Sequence, residues 1–557
     1  MMRSLEYQGV KTLFGYPGGS IMPTFDALYG HRDKLNHILV RHEQGAAHAA
    51  QGFARSSGEV GVCLVTSGPG ATNTITGVAD AMIDSTPIVV IAGQTPTSLL
   101  GTDAFQEVDL VGVTQPISKW SYQIRSAKDV AWAVARAFYI AKSGRPGPVV
   151  LDFTKDAQTE MVDYEPMKVD FIRSYDPIPD TDRVELQHAA DLINAAERPF
   201  VLVGQGVELG NAQAELCAFL EKADIPCGRT LLGLSAIPSD HPLNKGMLGM
   251  HGNLGPNVKT NECDILIAVG MRFDDRVTGR LDAYAKQAKV IHLDIDPAEV
   301  NKNVHADVAV LGDCKHTLAL LTEAVTEAEH TEWIDSFTPY EEKEWNEVIS
   351  QAIHPQEGPL RMGEVARAVS EASGNKAILV TDVGQNQMMS ARYFQYTQKR
   401  SIITSGGLGT MGFGIPAAIG ATFGAPDRTV CLFMGDGGIQ MSIQEFGTIM
   451  ETGAPVKMIL LNNNYLGNVR QWQELFFGKR YSFTPMANPD YMKIAEAYRI
   501  PAQTVTERAD LADAINTMLT TDGPYLLEVA IMQGENVMPM TPPGGAVNVM
   551  MMSASDC

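Results

Sequence analysis

The sequence has 557 residues, of which 45% are hydrophobic, with 51 glycines and 30 prolines, and this composition predicts a large globular α/β protein of three or four domains. Its formal net charge of −22 at pH 7 argues against nucleic acid or an anionic membrane as a partner, because both select basic surfaces. It has neither a transmembrane-length apolar run nor a signal-peptide pattern, so we expect a soluble, cytoplasmic protein. The seven cysteines form no CxxC pair and predict neither a disulfide framework nor a zinc site.

The first informative element is a strand followed by a helix. An apolar run ends at Val40, and an alanine-rich stretch from Glu43 to Ala50 predicts a helix that begins at the glutamate. Taken alone, a glutamate in this position is usually a helix-start carboxylate favoured by the helix dipole.

The chain contains an internal repeat. Shifting the sequence by 368 residues superposes 62–91 on 430–459 without a gap, and the register keeps the apolar runs aligned. It also makes eight residues of the earlier copy identical to their counterparts: Val62, Cys63, Leu64, Gly70, Ile75, Met82, Pro87 and Ile91. The match predicts two related domains. Gly68 is aligned with Asp436 in this register, so only the later copy can place a carboxylate at this position.

Two stretches without clear periodicity, roughly 160–182 and 323–358, are interpreted as linkers. They divide the chain into domains at 1–160, 183–325 and 359–545, with a tail at 546–557. The fold class predicted is α/β, with three doubly wound parallel-sheet domains of which the first and third form a pseudo-repeat.

The middle domain carries its own strand signals. An apolar run from Phe200 leads into a GxGxxxG pattern at 204–210, which is more often a strand-to-helix turn than a nucleotide site because the GxGxxG spacing is absent. Two further apolar runs, 265–270 and 289–293, each lead into a polar segment, the second of which begins at Asp294.

The third domain has the most telling motif. The apolar run 429–434 ends at Gly435-Asp436-Gly437-Gly438, a helix-like segment covers 439–451, and the next apolar run, 456–461, ends at a run of three asparagines that includes Asn463. A right-handed crossover makes the two strands parallel, so both motifs emerge at one carboxyl edge of the sheet. Asp436 and Asn463 can then share a magnesium ion, which prefers hard oxygen ligands, while the glycines let a diphosphate approach the backbone.

This order of strand, GDG, helix, strand and NN resembles the cofactor signature of thiamine-diphosphate enzymes. The resemblance implies that Glu43 hydrogen-bonds the aminopyrimidine ring of thiamine diphosphate in the first domain, the pyrimidine-binding domain. It also implies that the third domain binds diphosphate and Mg²⁺, with Tyr465 supplying a backbone oxygen to the metal. Three further positions follow from the resemblance, with Gln385 toward the diphosphate, the Gly409 carbonyl toward the 4′-amino group and Met411 beneath the ring.

Within that family the chain resembles acetohydroxyacid synthase (acetolactate synthase) catalytic subunits nearly end to end. The segments that carry this resemblance are FGYPGG at 14–19, TSGPGATN at 66–73, GTDAFQE at 101–107, GMLGMHG at 246–252 and RFDDRVTG at 272–279. The last two line a flavin site in such enzymes, and by resemblance FAD contacts Arg145, His251, Arg272, Asp294 and Asp313. For Asp313, surface pairing is nearly as good an explanation. The residues implied for the substrate channel and acceptor pocket are Phe105, Gln106, Lys155, Arg272 and Trp472.

The reaction implied is a transferase reaction in branched-chain amino-acid biosynthesis. Pyruvate is decarboxylated on thiamine diphosphate, and the enamine condenses with a second pyruvate or with 2-oxobutyrate, giving 2-acetolactate or 2-aceto-2-hydroxybutyrate. The resemblance also implies a homodimer or tetramer, in which Glu43 of one subunit meets the Asp436 site of the other, and a small regulatory subunit. Three alternatives stay open: a flavin-free catabolic acetolactate synthase, a pyruvate oxidase, and a noncatalytic subunit that only binds cofactor.

The chain departs from the usual pattern of these enzymes at several positions. Asn386 stands where histidine is common, Met389 where tryptophan is common, and Thr154 where proline precedes Lys155. Asn468 replaces a methionine beside the implied acceptor pocket, which puts a polar group where an apolar wall is expected. The preference between pyruvate and 2-oxobutyrate is therefore left open by the sequence.

Overall fold

The structure is a computed structural model that describes residues 1–556. It contains three six-stranded sheets, and every strand pair within them is parallel. Apolar side chains cover both faces of each sheet, in separate clusters, as expected when helices lie on both sides of a parallel sheet. The predicted class, three doubly wound α/β domains, is confirmed.

The first sheet has the strand order β2-β1-β3-β4-β6-β5. Its strands are β1 Thr12–Gly15, β2 Asn36–Leu39, β3 Gly61–Val65, β4 Ile88–Gln94, β5 Trp120–Ile124 and β6 Val149–Thr154. The accompanying helices are α1 Met2–Tyr7, α2 Met22–Tyr29, α3 Glu43–Ser57, α4 Pro69–Thr72, α5 Ile75–Ile83, α6 Leu110–Thr114, α7 Val130–Lys142 and α8 Lys155–Thr159.

The central sheet has the order β12-β11-β10-β7-β8-β9. Its strands are β7 Pro199–Val203, β8 Cys227–Arg229, β9 Asn244–Met247, β10 Ile265–Val269, β11 Lys289–Asp294 and β12 Val308–Leu311. Its helices are α9 Arg183–Asn194, α10 Gln205–Leu209, α11 Gln213–Ala223, α12 Leu254–Thr260, α13 Asp275–Thr278 and α14 Cys314–Ala324.

The segment 160–182, interpreted as a linker, forms neither helix nor strand apart from one isolated bridge between Ile172 and Tyr175. The second such segment, 323–358, is largely helical instead. It holds α15 Thr331–Asp335, α16 Thr338–Glu344, a π-helical turn Trp345–Ile349 and α17 Ser350–Ile353. These helices are anchored by buried aromatic side chains such as Trp333 and Phe337, which explains why the segment mixes acidic and aromatic residues.

The third sheet has the order β14-β13-β15-β16-β18-β17. Its strands are β13 Ile378–Thr381, β14 Ile402–Ile403, β15 Val430–Gly435, β16 Val456–Asn462, β17 Ala502–Val505 and β18 Tyr525–Ala530. Its helices are α18 Met362–Ala372, α19 Gln385–Tyr393, α20 Gly414–Gly424, α21 Asp436–Ser442, α22 Phe446–Thr452, α23 Gly467–Phe476, α24 Tyr491–Ala497 and α25 Arg508–Thr520.

The first and third sheets have the same order of strands along the chain, which confirms the predicted pseudo-repeat. The shift of 368 residues carries β4 onto β16 at both ends. The helical segment expected over 439–451 is interrupted, because Ser442 leaves the helical conformation (φ −139°, ψ 20°) and a 3₁₀ turn, Ile443–Glu445, separates α21 from α22.

The two related domains meet along a seam between α3 and α20. A Cβ on Gly52 would fall inside the carbonyl of Ala417, and a Cβ on Gly420 would fall inside the carbonyl of Ala49. Only glycine permits this backbone approach.

None of the helices within residues 1–556 is both long and apolar enough to cross a membrane.

Candidate active site

Asp436 and Asn463 lie at the same edge of the third sheet. Strands β15 and β16 pair in register up to Gly435 opposite Leu461, so the two side chains that follow emerge side by side. Both are buried, at 1% and 3% exposure. Burial raises the pKa of Asp436 to about 6, against the opposing effect of a hydrogen bond from Asn488. A carboxylate and an amide at one sheet edge are suitable oxygen donors for a divalent cation.

Asn488 is a site residue that the sequence did not indicate. Its Nδ2 donates to Asp436 Oδ2 at 2.7 Å and also to Asn462 Oδ1 at 3.0 Å, and it therefore links both motifs. It lies 52 residues after Asp436 in the sequence, and the only local signal is the Asn-Pro pair at 488–489.

Gln385, expected near the diphosphate, begins α19 directly after β13. Its Oε1 accepts a hydrogen bond from Asn463 Nδ2 at 3.4 Å, and its Nε2 donates to the carbonyl of Glu535 at 2.8 Å. The side chain is thereby held beside the Asn463 motif. Tyr465 is positioned by the same asparagine, since its backbone N–H donates to Asn463 Oδ1 at 3.1 Å.

Gly409 and Met411 lie in the loop between β14 and α20. Gly409 has φ +69°, a conformation that favours glycine. A Cβ on Gly437 would lie 3.5 Å from Met411 Cε, so the methionine adjoins the GDGG turn. The end of the loop is fixed by the buried Asp382, which accepts the backbone N–H groups of Gly412 and Gly414 at 3.0 Å.

The first domain presents its predicted residues at the carboxyl edge of its own sheet. Glu43 begins α3, and its Oε2 accepts a hydrogen bond from Asn73 Nδ2 at 2.9 Å. Phe105 is 85% exposed, and Gln106 has φ +59° with its backbone against Gly68. Lys155 is exposed at the start of α8.

A cavity of about 700 Å³ lies where all three domains meet. Its lining includes every residue for which flavin contact was expected: Arg145, His251, Arg272, Asp294 and Asp313. Gly409, Asn468 and Trp472 of the third domain line the same cavity. The volume falls in the range of cofactor sites, and the cavity thus joins the central domain to the loop that carries Met411.

The charged groups of this cavity differ in how freely they can meet a ligand. Arg145 is engaged by Glu299 at 2.7 Å and by Asp296 at 3.2 Å. Within residues 1–556, the one ion pair of Arg272 is a loose contact with Asp274, at 3.9 Å. Arg272 is therefore the more available cation for an anionic ligand.

The acidic residues and the histidine of the cavity also differ in their hydrogen-bond partners. Asp313 caps α14, because its side chain accepts the backbone N–H groups of Lys315 and His316. The local pairing considered for this aspartate is thus a helix N-cap. Asp294 accepts the N–H of Asp296 at 2.9 Å. His251 is buried with no partner for Nδ1 among the described residues, and burial lowers its pKa to about 4. Burial therefore favours the neutral imidazole of His251 in the structure.

Asn468 and Trp472 stand one turn apart on α23 and so share a helix face. Trp472 makes an edge-to-face contact with Phe476, with ring centroids 5.5 Å apart. The Oδ1 atom of Asn468 is buried and has no hydrogen-bond partner among the described residues. Asn468 thus places a polar side chain in the lining of the cavity and leaves its Oδ1 atom buried.

The expected active-site residues belong to more than one domain of the chain. Glu43, Phe105, Gln106 and Lys155 are absent from the lining of the 700 Å³ cavity within the described chain. Glu43 and Lys155 follow strands of the first sheet, whereas Asp436 and Asn463 follow strands of the third.

The first and last domains match family models described as the N-terminal and C-terminal TPP binding domains of thiamine pyrophosphate enzymes, over residues 1–113 and 382–529. The model for the central domain of the same enzymes matches residues 186–321. Fold and site thus define a thiamine pyrophosphate enzyme.

Curated relatives narrow the assignment. The chain is 44% identical over 557 aligned residues to a probable acetolactate synthase large subunit of Methanocaldococcus jannaschii, covering 98% of this chain and 93% of the relative. It is 44% identical over 555 residues to the acetolactate synthase isozyme 2 large subunit of Escherichia coli, covering 99% and 98%. With the large subunit from Lactococcus lactis the identity is 42% over 547 residues, covering 98% and 94%. The chain belongs to the family of acetolactate synthase large subunits.

Proposed function

We propose that this protein is the catalytic subunit of an acetolactate synthase of branched-chain amino-acid biosynthesis. It decarboxylates pyruvate and joins the two-carbon fragment to a second pyruvate or to 2-oxobutyrate. The observation that carries the proposal is the 700 Å³ cavity, in which all five residues expected to contact flavin adjoin Gly409 and Trp472. This arrangement supports the FAD-containing biosynthetic enzyme over a flavin-free catabolic relative.

Thiamine diphosphate supplies, when bound, an electron sink for cleavage of the bond between C1 and C2 of pyruvate. We assign Glu43 to hold the aminopyrimidine ring, since Asn73 already orients its carboxylate. The loop with Gly409 and Met411 would support the ring, and Gln385 would contact the diphosphate. These assignments need a carboxylate and a shaped apolar support, which the chain provides.

For magnesium, the donor set fits a hard divalent cation. Asp436 offers a buried carboxylate, Asn463 an amide oxygen, and Tyr465 a backbone carbonyl in the same turn. A cation there would also offset the cost of burying the Asp436 charge, which otherwise raises the pKa of this group.

Substrate carboxylates need local cations, because the chain as a whole has a net charge of −22. Lys155 and Arg272 are the proposed counter-charges, and Phe105, Gln106 and Trp472 the proposed walls of the channel and acceptor pocket. Since Glu43 and Asp436 follow strands of different sheets, we propose a homodimer, alone or within a tetramer, in which Glu43 of one subunit faces Asp436 of the other. The relatives are named large subunits, which supports a small regulatory partner for this chain. A cytoplasmic location stays a prediction of the sequence.

The decisive experiment is an assay of the purified chain with thiamine diphosphate, Mg²⁺ and FAD. Pyruvate alone should give 2-acetolactate, and addition of 2-oxobutyrate should give 2-aceto-2-hydroxybutyrate as well, with both products resolved by mass spectrometry. Glu43→Gln serves as the matched control and should lose about 10²- to 10⁴-fold in rate. Acetate formed in proportion to flavin reduction would replace the proposal with a pyruvate oxidase. Full carboligation by a protein that retains no FAD would favour the flavin-free enzyme.

A further inference from the structure

A buried acidic pair sits at the interface between the first and third domains, beside the loop that carries Gly409 and Met411. Asp80 lies within α5, and Asp84 ends the same helix. Both are almost fully buried, at 0% and 1% exposure. Such groups are expensive to bury without partners, and the partners they have are in the loop that leads to Met411.

Asp84 binds the backbone of this loop. Its Oδ2 accepts the N–H of Gly406 at 2.8 Å, and its Oδ1 accepts the N–H of Gly407 at 2.7 Å. Arg55 adds a third hydrogen bond, from Nη2 to Oδ2 at 2.9 Å. Both carboxylate oxygens are thus committed as acceptors.

Asp80 binds the side chains that close the loop. Its Oδ1 accepts the hydroxyl of Ser405 and, at 3.1 Å, the hydroxyl of Thr410. The oxygen of Ser405 in turn accepts the N–H of Thr410 at 2.8 Å, so residues 405 and 410 are tied to each other as well. The second oxygen of Asp80, Oδ2, has no partner among the described residues.

Arg55 completes the cluster from α3, the helix that begins at Glu43. Its Nη1 donates to the carbonyl of Thr404 at 2.5 Å, and its Nε donates to Thr86 Oγ1 at 3.0 Å. Arg55 is therefore the counter-charge of Asp84, and its other hydrogen bonds go to Thr404 and Thr86. Burial and the neighbouring Asp84 raise the pKa of Asp80, as expected when only one of two adjacent acids has a counter-charge.

We propose that Asp80 and Asp84 are positioning residues for thiamine diphosphate, which fix the loop 404–410 so that the Gly409 carbonyl and Met411 meet the ring. This inference rests on the proposed function, since it takes the loop as the support of the cofactor. Asp382 anchors the far end of the loop through Gly412 and Gly414. Gly409 and Met411 are thus held between two buried acidic anchors that belong to different domains.

The chemistry of the two acids predicts different responses to amidation. Asp84→Asn leaves one acceptor oxygen for two backbone N–H groups and turns an amide N–H toward a donor. Asp80→Asn keeps the acceptor for Ser405 and Thr410 and replaces only the unpartnered oxygen. The loop should therefore be disturbed by Asp84→Asn and by Asp80→Ala, and less by Asp80→Asn.

The test measures binding of thiamine diphosphate with Mg²⁺ to the full-length protein by titration calorimetry, independently of turnover. Asp84→Asn and Asp80→Ala should weaken the Kd by roughly 10- to 100-fold, the effect of losing a hydrogen bond to a charged group. Asp80→Asn should recover most of the loss seen with alanine. Asp152→Asn is the matched control, because Asp152 is also buried with its pKa raised to about 6, but its partners are Gln123 and Gln94.

Equal Kd values for wild type, Asp84→Asn and Asp80→Ala would overturn the proposal. So would a loss of affinity in Asp152→Asn as large as that in Asp84→Asn, since it would assign the effect to general destabilisation. Thermal unfolding of each variant without cofactor measures how far the substitution destabilises the protein itself. If the wild-type protein bound thiamine diphosphate but formed no acetolactate, the proposed function would fail while the positioning role was still tested.

Discussion

Replacing Asn468 with methionine should change which acceptor the enzyme prefers. Asn468 and Trp472 share a face of α23 and line the same cavity. The Oδ1 atom of Asn468 is buried and has no hydrogen-bond partner within residues 1–556, so it carries a desolvation cost. A methionine here would offer the ethyl group of 2-oxobutyrate more apolar contact than the amide side chain does.

The size of the effect follows from the one methylene group that distinguishes the two acceptors. Burial of a methylene contributes about 0.8 kcal/mol, which is about 4-fold in a rate ratio. Asn468→Met should therefore raise the ratio of acetohydroxybutyrate to acetolactate by about 4-fold, with an upper range near 10-fold where packing against the indole adds dispersion. Removing the unpaired oxygen should also raise the free energy of unfolding by about 1 to 3 kcal/mol.

The assay is competition between 2-oxobutyrate and pyruvate at fixed pyruvate, with both products quantified, beside urea unfolding of the two proteins. Asn468→Ala is the control, because it removes the oxygen without supplying apolar contact and should raise stability less and selectivity little. A product ratio that is unchanged or lower in a folded Asn468→Met protein would refute the reasoning and place acceptor selection elsewhere.

Three other outcomes are expected. Glu43→Gln should slow exchange of the C2 proton of bound thiamine diphosphate by about 10²- to 10⁴-fold while cofactor affinity changes little; NMR gives the rate, and wild-type exchange would remove Glu43 from this role. Mixing Glu43→Ala with Asp436→Ala chains under subunit exchange should restore activity to a fraction of sites, whereas activity in a verified monomer would contradict the shared site. Trp472→Leu should erode the preference for 2-oxobutyrate by roughly 10- to 200-fold at most and spare pyruvate decarboxylation; an unchanged product ratio would assign the tryptophan to packing.

A fourth prediction concerns pH. Burial raises the folded-state pKa of Asp152 from 3.8 to about 6, so the folded protein binds more protons than the unfolded chain between these values. The free energy of unfolding should therefore fall as the pH rises from about 4 to about 6, and this contribution should be missing in Asp152→Asn. Thermal unfolding across that range measures it, and parallel pH profiles for the two proteins would show that Asp152 titrates normally.

The sequence predicted most of the fold because its signals were periodic and local. Apolar runs located β15 and β16, and the internal repeat related them to β3 and β4 within one register. It did not predict the break at Ser442, since that depends on the dihedral angles of one residue in an otherwise helical composition. The helices of 323–358 were not predicted because they are short, and because their apolar residues, such as Trp333 and Phe337, pack against the central sheet.

The candidate site was predicted where residues follow strands directly. Asp436 and Asn463 could be placed at one edge from topology alone, and the resemblance supplied the five cavity residues. Asn488, Asp84 and Asp80 were not predicted, because each acts through contacts distant in sequence. No pattern of spacing signals a carboxylate that binds backbone N–H groups 322 and 323 residues away.

The glycine seam between α3 and α20 has a consequence for how this molecule can be rebuilt. Gly52 and Gly420 each face a backbone carbonyl of the opposite helix, so a substitution on either side requires a compensating retreat on the other. The first and third domains are therefore not interchangeable modules, although their sheets have the same strand order. A chimera that takes its first domain from a relative should fold well only if α20 comes from the same parent, whereas the central domain, which lies outside the seam, can be exchanged without that constraint.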